Sequence, residues 1–129
     1  MDTLLTIQQV AGKTGLSEHT LRYYERIGLI ESIDRADNGH RRYTEMDIGW
    51  IEFLKCLRST GMPVMQMKTY ADLTRAGDHT IEARLALLED HRRAVLMQIE
   101  EMRRYLAVVD HKIDYYTQEK EQLETCSEN

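Results

Sequence analysis

The chain has 129 residues, of which 42% are hydrophobic and 30% are charged, an ordinary composition for a globular protein. It has no apolar run of about 18 residues and no apolar leader at its N-terminus, so the sequence predicts neither a membrane span nor secretion. Its two cysteines, Cys56 and Cys126, do not form a disulfide or metal framework. We therefore expect a protein of the reducing cytoplasm.

The net charge of −5 is unevenly distributed. Residues 1–75 hold ten basic and ten acidic side chains, whereas residues 76–129 hold seven basic and twelve acidic ones. We interpret the acidic excess as the solvated face of a C-terminal helix. Because DNA binding needs a local basic footprint rather than a basic protein, the net charge does not exclude it.

A helix-turn-helix is predicted near the N-terminus. Thr6 caps the first helix, and Ser17 caps the second because its hydroxyl can accept a bond from an unpaired amide of the first turn. Leu21 and Tyr24 recur at helical spacing and point inward, and Gly28 ends the helix. The opposite face of the second helix carries His19, Arg22, Tyr23 and Arg26.

The residues after this helix predict a β-hairpin. Two short runs, 30–33 and 41–43, flank Asn38-Gly39, and Asn-Gly is a strong hairpin signal because both residues tolerate positive φ. Five arginines and three tyrosines fall on this helix and hairpin. This layout is typical of a DNA-recognition helix followed by a wing.

Two more helices are predicted before residue 76. Thr44 caps the third helix together with Asp47, and Pro63 suits the first turn of the fourth. We expect the core face of the third helix to comprise Trp50, Phe53, Leu54 and Leu57. In the fourth helix we expect packing by Met65, Met67, Tyr70, Ala71, Leu73 and Thr74.

From Asp78 to about Leu123 the sequence contains no glycine and no proline. Apolar residues recur there at alternating spacings of four and three, which predicts a coiled-coil seam over five heptads. Arg92 lies within the seam as a register marker or at its edge. The apolar seam consists of Ile81, Leu85, Leu88, Val95, Ile99, Met102, Leu106, Val109, Ile113 and Tyr116.

A helix of about 40 residues spans on the order of 60 Å. It cannot bury such a seam against a small domain alone, so we expect a second copy of the chain as its partner. A helical hairpin within one chain is the alternative, but no glycine or proline break is available to turn it back.

These motifs together resemble the MerR family of transcriptional regulators. The resemblance rests on RYYERIGL at 22–29, NGHRRY at 38–43, RSTGM at 58–62 and the long terminal helix, and it covers essentially the whole chain. LKCL at 54–57, RSTGM and GDHTI at 77–81 are further similar to the subgroup called NmlR or AdhR. Those regulators are implicated in responses to aldehydes and related electrophiles.

The resemblance implies an all-α fold with a small β-hairpin wing. Residues 1–75 would form a winged helix-turn-helix DNA-binding domain with two accessory helices. Residues 76–129 would form a dimerisation helix, paired as an antiparallel coiled coil, and a short tail. The implied partners are a second copy, double-stranded promoter DNA and RNA polymerase at the promoter.

The resemblance also implies a mechanism. Such homodimers bind a palindromic operator in an overlong promoter spacer, and they kink and untwist it so that the polymerase engages both promoter elements. Bending a site of this size costs on the order of 1–6 kcal/mol, which added charge-assisted phosphate bonds can offset.

The DNA contacts are carried over position by position. His19 and Thr20 lie in the first turns of the recognition helix, where side chains reach base edges. Arg22 and Tyr23 should meet bases or phosphates, and the wing residues should grip flanking phosphates. For both Tyr23 and Tyr24, core packing is the alternative. The predicted DNA-binding residues are Ser17, His19, Thr20, Arg22, Tyr23, Tyr24, Arg35, Arg41, Arg42 and Tyr43.

Cys56 is the candidate sensor that the subgroup resemblance implies, reacting with a small electrophile. An adduct in a packed site would strain the structure by roughly 1–3 kcal/mol. The alternative is a MerR-type regulator that senses a metal ion or another small effector, with Cys56 purely structural. A thiolate metal site would need more than two cysteines, and the five histidines do not cluster in the sequence, so we predict no metal site and no cofactor.

An enzyme is not expected, because the sequence offers no phosphate loop, no nucleophile with a paired base and no metal constellation. A purely oligomerising scaffold would not explain the arginines of the predicted wing.

Overall fold

The structure, a computed structural model, describes residues 4–31 and 42–127. The chain divides into two compact units, residues 1–89 and residues 90–129. The regular elements of the described ranges are α1 (Ile7–Thr14), α2 (Glu18–Arg26), α3 (Glu45–Ser59), α4 (Val64–Ala76), a 3₁₀ turn (Asp78–Thr80) and α5 (Ile81–Ser127). The predominantly helical fold with a long C-terminal helix is as predicted.

The predicted hairpin wing is not seen. Residues 32–41, which include its turn and Arg35 and Arg41, lie outside the described residues. Within the described ranges there is no strand, and the single β-type pairing is an antiparallel bridge between Leu5 and Tyr43. The two residues exchange both backbone bonds at 2.8 Å. This pairing, which the sequence pattern does not predict, ties the segment before α1 to the residue before the α3 cap.

The helix starts follow the predicted capping residues. The Thr6 and Thr44 hydroxyls each accept from the backbone amide three residues on. In turn, the side-chain oxygens of Gln9 and Asp47 accept from the backbone amides of Thr6 and Thr44. Ser17 accepts from the Thr20 amide in the same way. Such caps satisfy amides that have no partner inside the helix, so the start of each helix is set by local sequence.

A single apolar core holds α1–α4 together within the first unit. Helix α3 packs against both α1 and α4, and its Ile51, Leu54 and Leu57 are buried. The other buried apolar residues of this core are Leu5, Val10, Leu21, Tyr24, Leu29, Ile30, Tyr43, Met62, Met67 and Ala71.

Three core predictions need correction. Trp50 and Phe53 are only partly buried and pack beside the core, while Ile51 takes the fully buried position. Met65 is 73% exposed rather than packed. Because α3 is packed from two sides, its buried face is centred on Ile51, Leu54 and Leu57 instead of on the aromatic side chains.

The junction between α4 and α5 is held by polar bonds within the first unit. Gly77 adopts φ 111, a conformation that favours glycine. The buried Thr80 hydroxyl contacts the carbonyl oxygens of Leu73 and Gly77, and Arg84 donates to Thr80 and to the Gly77 carbonyl. These bonds satisfy carbonyl groups at the end of α4.

The second unit, residues 90–129, is described only as helix, up to Ser127. In this unit most large apolar side chains are exposed, among them Ile99, Met102 and Leu106. Across the described parts of the chain, no helix combines the length and apolar character needed to cross a bilayer.

Candidate nucleic-acid interface

Helix α2 has one buried face and one open face, as its sequence pattern predicts. Leu21 and Tyr24 are 0% and 5% exposed and anchor the helix to the core. The opposite face is exposed along its length and carries His19, Arg22, Tyr23 and Arg26. It therefore offers donors, cations and an aromatic ring to a partner surface.

The side chains of this open face are ordered by contacts within α2. Arg22 pairs with the Glu18 carboxylate at 3.1 Å, and the Arg26 guanidinium lies 5.4 Å from the centre of the Tyr23 ring. Exposed ion pairs of this kind contribute little to stability. Arg22 can therefore exchange Glu18 for a phosphate or a guanine edge at small cost.

Ser17 and Thr20 are largely engaged in starting the helix. The Ser17 oxygen accepts from the Thr20 amide at 3.0 Å and its hydroxyl donates to the Thr20 oxygen at 2.9 Å. The unpaired amides of a helix N-terminus attract phosphate oxygens. This arrangement therefore places both predicted residues at an end of α2 suited to an anion.

The C-terminal end of α2 is fixed to α3. Gly28 has φ 89, and this left-handed turn lets the Leu29 amide donate to the Tyr24 carbonyl at 2.8 Å. The Trp50 indole then donates to the Leu29 carbonyl at 2.7 Å. At the other side of the motif, the Lys55 ammonium donates to the Thr14 carbonyl. Helix α3 thus holds both helices of the helix-turn-helix, α1 and α2, in place.

Tyr24 is buried, and burial raises the pKa of its phenol, while the charge of Arg58 works in the opposite direction. Its ring packs inward as expected, since it belongs to the apolar core. Arg58 is exposed at the end of α3 and acts electrostatically on α2. From the sequence, Arg58 is recognised only as part of a family motif, and its effect on Tyr24 is not predicted.

The wing residues are only partly described. Arg35 and Arg41 lie outside the described residues. Arg42 is half-buried. Tyr43 is fully buried in the core, which fits a packing role better than the phosphate contact that the sequence analysis assigned to it.

Cys56 is exposed on α3, whereas a structural cysteine is usually buried. Its backbone carbonyl accepts from the Thr60 hydroxyl at 2.8 Å. Cys126, near the end of α5, is also exposed. In the portion of the chain that the structure covers, no three His, Cys, Asp or Glu side chains come together as metal ligands.

The predicted seam of α5 is open along most of its length. Ile81, Leu85, Ile99, Met102, Leu106, Val109, Ile113 and Tyr116 are between 44% and 67% exposed. Leu88 differs, since it packs partly against the core of the first unit together with Leu87. Val95 is half-buried.

Comparisons with known proteins identify this arrangement. Residues 5–73, which contain α1–α3 and most of α4, match the family described as MerR HTH family regulatory protein. The chain belongs to the MerR family. It is 40% identical to an uncharacterized HTH-type transcriptional regulator of Haemophilus influenzae over 115 residues, which cover 89% of this chain and 85% of that protein. It is 47% identical to the regulator AdhR of Bacillus subtilis over 92 residues, 71% of this chain and 66% of AdhR.

Among solved structures, this chain resembles HiNmlR, a MerR family regulator lacking the sensor domain, which was crystallised bound to promoter DNA. The two superpose with a TM-score of 0.82 at 39% identity, over 92% of this chain and 94% of that one. These relatives are transcriptional regulators rather than enzymes. The predicted resemblance to the NmlR and AdhR regulators is thereby confirmed, and the chain is a DNA-binding transcriptional regulator.

Proposed function

We propose that this MerR-family regulator binds a palindromic promoter operator as a homodimer, with one α2 helix in each half-site. The open face of α2 is the observation that supports the DNA contact most directly. It presents Arg22, Tyr23 and His19 to solvent while Leu21 and Tyr24 hold the helix on the core. The likeness to HiNmlR, solved on promoter DNA, supports the same use of this face.

In the proposed interface the roles differ along the chain. His19 and Thr20 meet base edges, since the first turns of a recognition helix enter the major groove. Arg22 and Tyr23 contact bases or phosphates, and Arg42 with the predicted wing grips the flanking backbone.

The dimer is proposed to form through α5 as an antiparallel coiled coil. Its seam is apolar at regular heptad positions, and Ile99, Met102 and Leu106 remain 44–67% exposed in a single chain. An exposed apolar stripe of this length marks an interaction surface. A second identical stripe has the same spacing, which is what knobs-into-holes packing requires.

Activation is proposed to occur by DNA distortion. A dimer that holds two recognition helices at a fixed separation can bend and untwist the intervening operator, so that RNA polymerase engages both promoter elements. Deformation of this kind costs on the order of 1–6 kcal/mol, and phosphate contacts from arginines supply energy of the same order.

Footprinting on promoter fragments tests the DNA proposal. The full-length chain should protect two symmetric half-sites whose centres lie about one helical turn or a multiple apart, with enhanced cleavage between them where the DNA is deformed. Protection of one asymmetric patch, or of no sequence in preference to others, would contradict it.

The proposed signal is a small aldehyde or related electrophile that reacts with Cys56. The exposure of this thiol supports access by such a molecule, and the similarity to AdhR and HiNmlR supports the subgroup assignment. The exposure also revises the expected mechanism. An adduct on this side chain does not overpack the core of its own chain, so its effect must act at the surface of α3.

Cys126 gives a matched control, because it is the other exposed thiol. We expect Cys56→Ser to remove the transcriptional response to a small aldehyde while operator binding stays at the parent level, because serine keeps the size but loses the nucleophile. Cys126→Ser should respond like the parent. A full response from Cys56→Ser would leave the sensor elsewhere.

A further inference from the structure

A cavity of about 270 Å³ lies within the first unit, between the first turns of α3 and the last turns of α4. Trp50, Met46, Glu31 and Arg75 contribute to its wall. Its size lies just below the range of about 300–1,000 Å³ that is typical of drug-sized ligands. It therefore suits a ligand with one ring and one small polar group.

The apolar part of this cavity is built around Trp50. The indole N–H is already satisfied by the Leu29 carbonyl at 2.7 Å, and the ring stacks on Tyr70 with centroids 5.8 Å apart and planes 13° apart. The indole is thus held in position, and its N–H needs no hydrogen bond from a ligand. Met46, which is 86% exposed, adds a flexible and polarisable side to the wall.

The charges of the cavity favour a cation. Its lining carries the carboxylates of Glu31 and Asp47 against the single guanidinium of Arg75. Arg75 is itself held at 3.4 Å by Glu31 and at 3.4 Å by Asp72, so an incoming anion would meet two carboxylates around that guanidinium. The Glu31 side chain is 75% exposed, so a ligand can reach its carboxylate.

We propose that this cavity binds a small aromatic organic cation, with its charged group between Glu31 and the Trp50 ring. Electron-rich indole faces attract ammonium groups, and Trp is the most effective side chain in such contacts. Binding exchanges the ion pair between Glu31 and Arg75 for one between Glu31 and the ligand, while Arg75 keeps its bond to Asp72.

This site also suggests an effector role, which rests on the proposed function. Glu31 lies at the start of the segment predicted to form the wing, and its bond to Arg75 connects this residue to α4. A cation that draws Glu31 away from Arg75 removes this connection. The binding test below uses no DNA, so its failure would overturn the cation site and leave the DNA proposal untouched.

Trp50 is the only tryptophan of the chain, so its fluorescence reports on the cavity directly. The full-length protein should be titrated with benzyltrimethylammonium, with the neutral benzyl alcohol and with the anionic phenylacetate. We expect saturable quenching by the cation at concentrations at which the other two produce none. Equal binding of all three would overturn the charge assignment, and no saturable change with any of them would overturn the site.

Two pairs of variants locate the cation. Glu31→Gln should weaken its binding by about two- to fivefold, the effect of one partly exposed charge contact, whereas Glu52→Gln on the exposed side of α3 should leave it unchanged. Met46→Ala should weaken binding. Met65→Ala should not, because Met65 is another exposed methionine, on α4 and outside the cavity. Equal loss within either pair would place the cation elsewhere on the surface.

Discussion

The two units of this protein treat their apolar residues in opposite ways. In residues 1–89, Ile51 and Leu54 of α3 are fully buried and join one core with the other helices. In residues 90–129, Ile99 is 44% and Met102 is 67% exposed, although both belong to a regular apolar pattern. The first unit buries many of its apolar residues in one core, although Ile81 and Leu85 at the start of α5 are exposed there too, whereas the second unit leaves most of its large apolar residues exposed.

This difference assigns the two kinds of function. A unit with its own core can hold α2 rigidly and present Arg22 and Tyr23 at fixed positions. Helix α5 has 47 residues and is about 70 Å long, and a helix in a protein gains most of its stability from packing its apolar face. We therefore expect the first unit to determine DNA recognition and the second to determine assembly.

The largest effect is expected at the seam of α5. Ile99→Asp would place an unpaired carboxylate in the dimer interface, at a cost of several kcal/mol, and sedimentation velocity should show monomers. Met97→Asp is the matched control, because Met97 is 73% exposed and lies outside the seam. A dimer that survives Ile99→Asp, or that both variants abolish equally, would contradict the seam.

Within the first unit, Leu54→Ala should lower the free energy of unfolding by about 2–5 kcal/mol, since it leaves a cavity at a fully buried site. Denaturant unfolding followed through Trp50 measures this loss. Leu106→Ala, at an exposed seam position, should instead weaken the dimer and lower stability only at low protein concentration. If the stability of both variants depends on protein concentration in the same way, the proposed difference between the two units is wrong.

On the open face of α2, Arg22→Ala should cost about 1–3 kcal/mol of specific DNA binding and relax the preference at one base position. Arg42→Ala should weaken binding to all sequences alike and reduce the salt slope by about one. Retention assays at several salt concentrations measure both, with Arg103→Ala on α5 as the control. If both variants bind DNA like the parent, the assignment of Arg22 and Arg42 to the DNA contact is wrong.

The smallest effect is expected at a helix cap. Thr44→Ala removes the hydroxyl that accepts from the Asp47 amide at 3.2 Å and should lower the free energy of unfolding by about 1 kcal/mol. Thr44→Ser keeps the acceptor and should retain most of the stability. If serine and alanine are equally destabilising, the cap bond is not the cause.

The features that the sequence predicted best depend only on residues a few positions apart along the chain. Thr6, Ser17 and Thr44 cap their helices because the partner amide lies three residues away. Gly28 ends α2 because only a local left-handed turn is needed. The open face of α2 and the uninterrupted course of α5 follow from spacing alone.

The features that sequence missed depend on contacts between distant segments. Tyr43 is buried because it pairs with Leu5, and nothing near Tyr43 in the sequence indicates this pairing. Trp50 is displaced from the core centre by Ile51, because α3 packs against α1 and α4 at once. The exposure of Cys56 likewise depends on which side of α3 its neighbours cover.

The central claim is that two copies of the chain join through α5, so that two α2 helices act on one operator. Sedimentation equilibrium of the parent chain at micromolar concentrations tests it most directly. We predict a single species of twice the 15.2 kDa chain mass. A species of 15.2 kDa that persists across the concentration range would contradict the account.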